Sequence, residues 1–239
     1  ALKSDPKNTT ALYNHGLALN QMRKYQDAIT SFDKVIEINP KDAPSYNNRA
    51  IAMAELGDTD EALEWYDKAI NADKKYAAAH YNKGVLLDKK LRPDEALKCL
   101  DDAITLDPKK DNPRFYKGIV LGKMKRHEEA LNCFQNVYRN NRNHLDAYFQ
   151  TGIQLAELGR HEQAVKVFDN ILKKYEKFRD NANVIYAKAR SKAALDETGE
   201  ALELLRLATK RSKEIKKWAV EEKAFDRLLG TPEFEDIVK

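Results

Sequence analysis

Residues 10–40 read TALYNHGLALNQMRKYQDAITSFDKVIEINP. Two stretches of helical length stand here, TALYNHGLALNQM and YQDAITSFDKVIEI, with Arg23 and Lys24 between them. Their apolar residues recur at intervals of three and four, so each set lines one face of a helix. No alternating strand pattern runs from Thr10 to Ile38. Pro40 ends the second helix, because it lacks the N–H a helix needs and its ring clashes with the preceding turn.

Working outward, the arrangement returns at a step of 34 residues. Gly16, Ala50, Gly84, Gly118 and Gly152 form one column, and Ala28, Ala62, Ala96, Ala130 and Ala164 another. A sixth copy carries Ala189 and Ala201, each offset by 37, so three residues are inserted near 173–183. Four positions after each Ala of the second set comes a bulky apolar residue: Phe32, Tyr66, Leu100, Phe134, Phe168 and Leu205. Small residues let two helix backbones approach, and the large residue fills the space beside them. Pro6, Pro40 and Pro108 keep the same register, with Lys74 in the intervening slot.

This pattern resembles the tetratricopeptide repeat family, over residues 1 to about 211. The resemblance implies an all-α fold, a right-handed α-solenoid (superhelix) of antiparallel helix hairpins. "YNKG" at 81–84 is similar to wording in free-standing archaeal and bacterial arrays, and "FDRLLGTPEFEDIV" at 225–238 to the closing segment of many prokaryotic members. The chain departs from the family pattern at two columns. The first-helix Trp is replaced by Leu12, Tyr46, His80, Arg114, Tyr148 and Ile185, and the Leu before the Gly by His15, Arg49, Lys83, Lys117, Thr151 and Lys188.

The register divides the chain into residues 1–7, the tail of a preceding repeat; six repeats over 8–211 (9–42, 43–76, 77–110, 111–144, 145–178 and 182–211); and capping helices over 212–239. One continuous array is expected rather than two domains. The opening "ALKSDPKN" suggests truncation upstream and an open end prone to self-association, since solenoid ends expose apolar surface. At the other end Ile215, Trp218, Phe225, Leu228 and Leu229 are expected to cover the last repeat. Gly230 stops one helix and Thr231-Pro232 starts the next.

Charged residues make up 33% of the chain, as suits a solenoid with much surface and little core. No run of 18 apolar residues exists, so no membrane span is expected. The two cysteines, Cys99 and Cys133, hold equivalent positions in neighbouring second helices. Packed helix axes lie about 8–10 Å apart, too far for a disulfide. Both read as reduced, partly buried thiols of a cytoplasmic protein.

Sequence motifs for catalysis are missing: no phosphate-binding glycine loop, nucleophile elbow or HExxH. His127-Glu128 and His161-Glu162 lack the second His, and Asp101-Asp102 diverge on one helix. No enzyme activity, metal or cofactor is expected. The segment 206–223, RLATKRSKEIKKWAVEEK, holds seven basic and three acidic residues, a net +4 equal to that of the whole chain. It reads first as a solvated face. The alternative is an anionic partner, an acidic protein or a nucleic acid, although a nucleic-acid footprint is normally wider. A further alternative is an accessory array belonging to a larger enzyme.

In the family the first helix of each repeat lines the concave face. Three columns there are candidates for partner binding. The aromatic column carries Tyr13, Asn47, Tyr81, Phe115 and Phe149, continuing to Tyr186. The aliphatic column, four residues on, carries Leu17, Ile51, Val85, Ile119 and Ile153, continuing to Arg190. An amide column carries Asn14, Asn48 and Asn82, whose side chains can both donate and accept to an extended backbone. The aliphatic column serves inter-repeat core equally well. Family members that clamp the C-terminal carboxylate of heat-shock chaperones use Lys and Asn where Tyr13 and Leu17 stand, which excludes that partner. The expected function is a protein–protein interaction scaffold that holds a peptide or helical segment in this groove.

Overall fold

The structure, a computed structural model, describes residues 5–239. The first four residues of the expected half repeat lie outside the described residues. Among the described residues the chain is helical without strands. Twelve helices pair into hairpins: α1 (Thr9–Gln21) with α2 (Tyr25–Ile38), α3 (Ala43–Leu56) with α4 (Thr59–Ala72), α5 (Ala77–Lys89) with α6 (Pro93–Leu106), α7 (Asp111–Lys123) then α8 (His127–Asn140), α9 (Leu145–Glu157) with α10 (His161–Lys174), and α11 (Ala182–Ala194) with α12 (Thr198–Arg211). A 3₁₀ turn, Glu176–Phe178, takes up part of the three-residue insertion. The C-terminal segment adds α13 (Glu214–Glu221), a 3₁₀ stretch Lys223–Leu228 and α14 (Pro232–Val238).

The sequence reads as one array, yet the chain resolves into two compact units, Ala1–Val120 and Leu121–Lys239, with the boundary inside α7. The reason is the repeat itself. Each hairpin touches only its neighbours, so contacts fall away along the stack. In the first unit α3 packs against α1, α2, α4 and α5. In the second, α9 packs against α8, α10 and α11. First helices thus neighbour first helices within each unit.

The two small columns and the bulky one meet as the register requires. The six Ala of the second column are fully buried, as are Phe32, Leu100, Phe134, Phe168 and Leu205. A Cβ on Gly16 would stand 2.6 Å from the Phe32 ring, and one on Gly152 2.5 Å from that of Phe168. These glycines are therefore close-approach sites between the two helices of a hairpin.

Each hairpin turn places one residue in the left-handed region, and these also step through the register: Arg23, Gly57, Leu91, Lys125, Gly159 and Asp196. Only two are glycine, so four side chains sit where glycine is favoured.

The C-terminal segment buries Ile215, Phe225 and Leu228 but leaves Trp218 and Leu229 more than two-fifths exposed. The helical period is broken by the 3₁₀ stretch, so the five apolar residues do not share one face. Gly230 adopts a φ of +79° and the Thr231 hydroxyl accepts from the Phe234 amide, which starts α14.

Candidate binding face on the first helices

In the first unit the face is built on α1, α3, α5 and the start of α7. The Tyr13 ring tilts against Phe32 with centroids 5.9 Å apart. Its hydroxyl accepts a hydrogen bond from the Asn48 amide at 3.0 Å. Asn48 also donates to the Pro44 carbonyl at 2.9 Å. One repeat further, Asn82 donates to the side-chain oxygen of Asn47 at 2.8 Å, and Asn47 is buried. The amide column therefore stitches successive first helices together, each Asn reaching back 35 residues. Asn14, on the first of these helices, is exposed.

Leu17 packs with Tyr13 against Leu19, Ala28 and Phe32, and Ile51 packs against the next cluster. Both remain half-buried, as do Val85, Phe115 and Ile119. The aliphatic column thus turns one side to the core and the other outward. Tyr81 meets Tyr116 edge-on at 6.2 Å. The Tyr116 hydroxyl donates to the buried Asp88 carboxylate at 2.9 Å.

Two depressions adjoin these residues. One, of about 170 Å³, brings Ile51, Asn82 and Val85 together beside Glu55, Tyr66 and Lys89. The other, of about 460 Å³, is lined by Tyr76, Tyr81, Leu106 and Pro113, with Lys75, Asp107 and Lys110 as its charged residues. Tyr76, Leu106 and Pro113 were not among the columns. The signal for Tyr76 lies in the register, where it takes the place of Asp42, which caps α3 by accepting from the Ser45 amide. An aromatic ring at a capping position serves no local purpose for the helix.

Burial, then the Asp42 carboxylate, raises the Tyr13 pKa, opposed by the Asn48 hydrogen bond. Burial alone raises that of Tyr81. Both hydroxyls are protonated at neutral pH and remain capable of donating as well as accepting.

In the second unit Phe149 tilts on Phe168 at 5.9 Å, and with Ile153 it packs against the cluster around Leu155 and Phe168. The next register positions, Tyr186 and Arg190, are covered. Tyr186 meets Trp218 at 6.0 Å and Phe225 at 6.1 Å, while Arg190 pairs with Glu222 at 2.5 Å and with Glu157 at 3.2 Å. The chain's own C-terminal segment lies on the end of both columns.

Three further residues singled out in the sequence, His127, Asp101 and Asp102, bond to neighbouring helices. His127 Nδ1 bonds the Gln154 side chain at 2.9 Å. Asp101 pairs with Lys117 at 2.5 Å and Asp102 with His80 at 3.5 Å, so the adjacent carboxylates go to different helices. Among the described residues no group of His, Cys, Asp and Glu could hold a metal. In the basic segment, Arg206 pairs with Asp236 and Arg211 with Asp180, both from outside it.

Family models described as tetratricopeptide repeat match residues 8–75, 77–110 and 117–182. The chain belongs to the tetratricopeptide repeat family. Solved structures of tetratricopeptide proteins are among those similar to this chain. The crystal structure of YrrB, described as a TPR protein with an unusual peptide-binding site, shares 27% identity with a TM-score of 0.68, over 80% of this chain and 97% of YrrB. The structure of PilF from Pseudomonas aeruginosa shares 22% identity with a TM-score of 0.70, over 95% of each chain. MamA shares 22% with a TM-score of 0.62, over 72% of this chain and 94% of MamA. The last two support the fold alone. A search of curated protein sequences gives no match. Tetratricopeptide arrays are in general protein-interaction scaffolds, and no helix among the described residues is long and apolar enough to cross a membrane.

Proposed function

We propose that this tetratricopeptide array is a non-catalytic scaffold that binds a peptide or helical segment of a protein partner on the face formed by its first helices. The observation that carries this reading is the covering of Tyr186 and Arg190 by the chain's own C-terminal segment. Those two residues continue the columns of Phe149 and Ile153. An amphipathic helical segment with an aromatic residue for the ring column and a carboxylate for the cation thus already seats on this register. The depression at Tyr81 offers a comparable aromatic seat in the first unit. YrrB, with its peptide-binding site, lends the reading support by likeness. Partly buried cysteines at Cys99 and Cys133 accord with a cytoplasmic setting.

The test is affinity capture from native lysate with the wild-type chain, Tyr81→Ala and Phe149→Ala as baits, each checked for intact helicity. A partner held by the wild type and lost from one or both variants supports the reading. Equal capture by all three baits overturns it.

A further inference from the structure

Four of the five junctions between successive repeats carry charge at three register positions. A second-helix carboxylate, a cation on the next first helix and a carboxylate on the next second helix recur as Asp33, Arg49, Glu61; Asp67, Lys83, Glu95; Asp101, Lys117, Glu129; and, after the insertion, Asp169, Lys188, Glu200. The first two members pair at 2.6, 2.5, 2.5 and 3.1 Å in turn. At the last of these junctions Lys188 also holds Glu200 at 2.9 Å.

One junction breaks the pattern at all three positions. Between the fourth and fifth repeats the residues are Gln135, Thr151 and Gln163. Thr151 is buried, and its hydroxyl turns back to the Ala147 carbonyl at 2.9 Å. The three neutral residues line a groove of about 540 Å³ between α8 and α10, floored by α9. The charged residues lining it are Arg139, Arg142, Lys166 and Lys174, with no carboxylate among them. All four cations are exposed, whereas the junction cations Arg49, Lys83, Lys117 and Lys188 are each paired.

The groove also carries hydroxyl and amide groups suited to an anion. Tyr138 and Tyr148 stack in parallel with centroids 4.1 Å apart, and the Arg142 guanidinium lies 4.9 Å over the Tyr138 ring. The hydroxyls of Tyr138 and Tyr175 share one hydrogen bond at 3.0 Å, which leaves one proton of the pair to donate elsewhere.

We propose that the groove between α8 and α10, bounded by Gln135, Thr151 and Gln163 and ringed by Arg139, Arg142, Lys166 and Lys174, binds an acidic, Asp/Glu-rich segment of a protein partner. It opens between two second helices over Tyr148, Thr151 and Leu155 of α9, and neither Phe149 nor Ile153 of the two columns lines it. Removing the carboxylates takes away the groups that would repel such a ligand, while the cations and amides supply charge-assisted hydrogen bonds. A protein segment fits better than a nucleic acid. The Tyr138 ring lies between Tyr148 and Arg142, so its faces are closed to a stacking base. The cations ring one junction rather than forming a stripe along the array.

The test uses a fluorescein-labelled oligoglutamate peptide, read by anisotropy at low salt, with a labelled single-stranded oligothymidylate as a parallel probe. Two double variants probe the groove: Arg139→Gln/Lys166→Gln removes cations, and Gln135→Asp/Gln163→Glu restores the carboxylates of the other junctions. The second variant installs residues the fold already accepts at the same register positions, and thermal melting verifies both. Lys216→Gln/Lys217→Gln serves as a control in the basic C-terminal segment. Each groove variant is expected to weaken oligoglutamate binding by about tenfold or more, and the control to leave it unchanged. The proposal is overturned by absent oligoglutamate binding, by binding that the groove variants leave intact, or by a groove that prefers the oligothymidylate.

Discussion

The side-chain amide of Asn48 donates to the Tyr13 hydroxyl across 3.0 Å, joining the first helices of two successive repeats. The same side chain also donates to the Pro44 carbonyl. Replacing Asn48 by Ala removes both bonds and leaves the half-buried Tyr13 hydroxyl without this donor. A loss of about 1–2 kcal/mol is expected in denaturant unfolding. Because the Asn48 bond lowers the Tyr13 pKa against burial and Asp42, its removal should move that pKa further up. Ultraviolet titration of the tyrosines reads the second effect.

The hairpin turns predict a stabilising substitution. Leu91 sits at a φ of 58° with its side chain 88% exposed, at the register position Gly57 and Gly159 hold in other repeats. Leu91→Gly relieves the left-handed strain and sacrifices no buried surface. It should raise stability by about 0.5–1 kcal/mol, seen as a higher denaturant midpoint at constant slope.

Close approach predicts the opposite effect at Gly152. A Cβ there meets the Phe168 ring at 2.5 Å, and Phe168 is fully buried. Gly152→Ala should cost about 1–3 kcal/mol despite a better helix propensity, measured by thermal or denaturant unfolding.

Alkaline pH should weaken the fold. Burial, then Glu222, pushes the Tyr186 pKa up to about 12 from its ordinary 10.0. The raised value means the folded state holds the phenolic proton more tightly than the unfolded chain. Its stabilising contribution is whole below about pH 10 and declines as pH rises from there towards 12. Melting temperatures across this range should fall less steeply in Tyr186→Phe than in the wild type.

Much of this molecule is legible from its period. Glycine and alanine columns fix where hairpins close, and the bulky column fixes what fills them, because each is set by local spacing. The two faces of the aliphatic column were not separable, since Leu17 and Ile51 each turn one side inward and one outward. The amide column shows a second limit. Asn48 and Asn82 read as groups for a ligand, but they bond neighbours 35 residues away, and such pairings depend on how helices stack. Likewise the change at Gln135, Thr151 and Gln163 is visible in the sequence, yet its meaning depends on the ion pairs at the other junctions.

Binding on the first-helix face should respond weakly to salt. A phosphate-tracking site loses on the order of 10³-fold in affinity between about 50 and about 200 mM salt. A partner held by the rings and aliphatic side chains of the two columns should lose less than about tenfold over that range, read by calorimetric titration.

The most direct measurement is an amide chemical-shift titration of the chain with the minimal segment of a captured partner. The account predicts perturbations concentrated at residues 13–17, 47–51, 81–85, 115–119 and 149–153, on successive first helices. Perturbations confined to second helices, or to the basic segment 206–223, would contradict it.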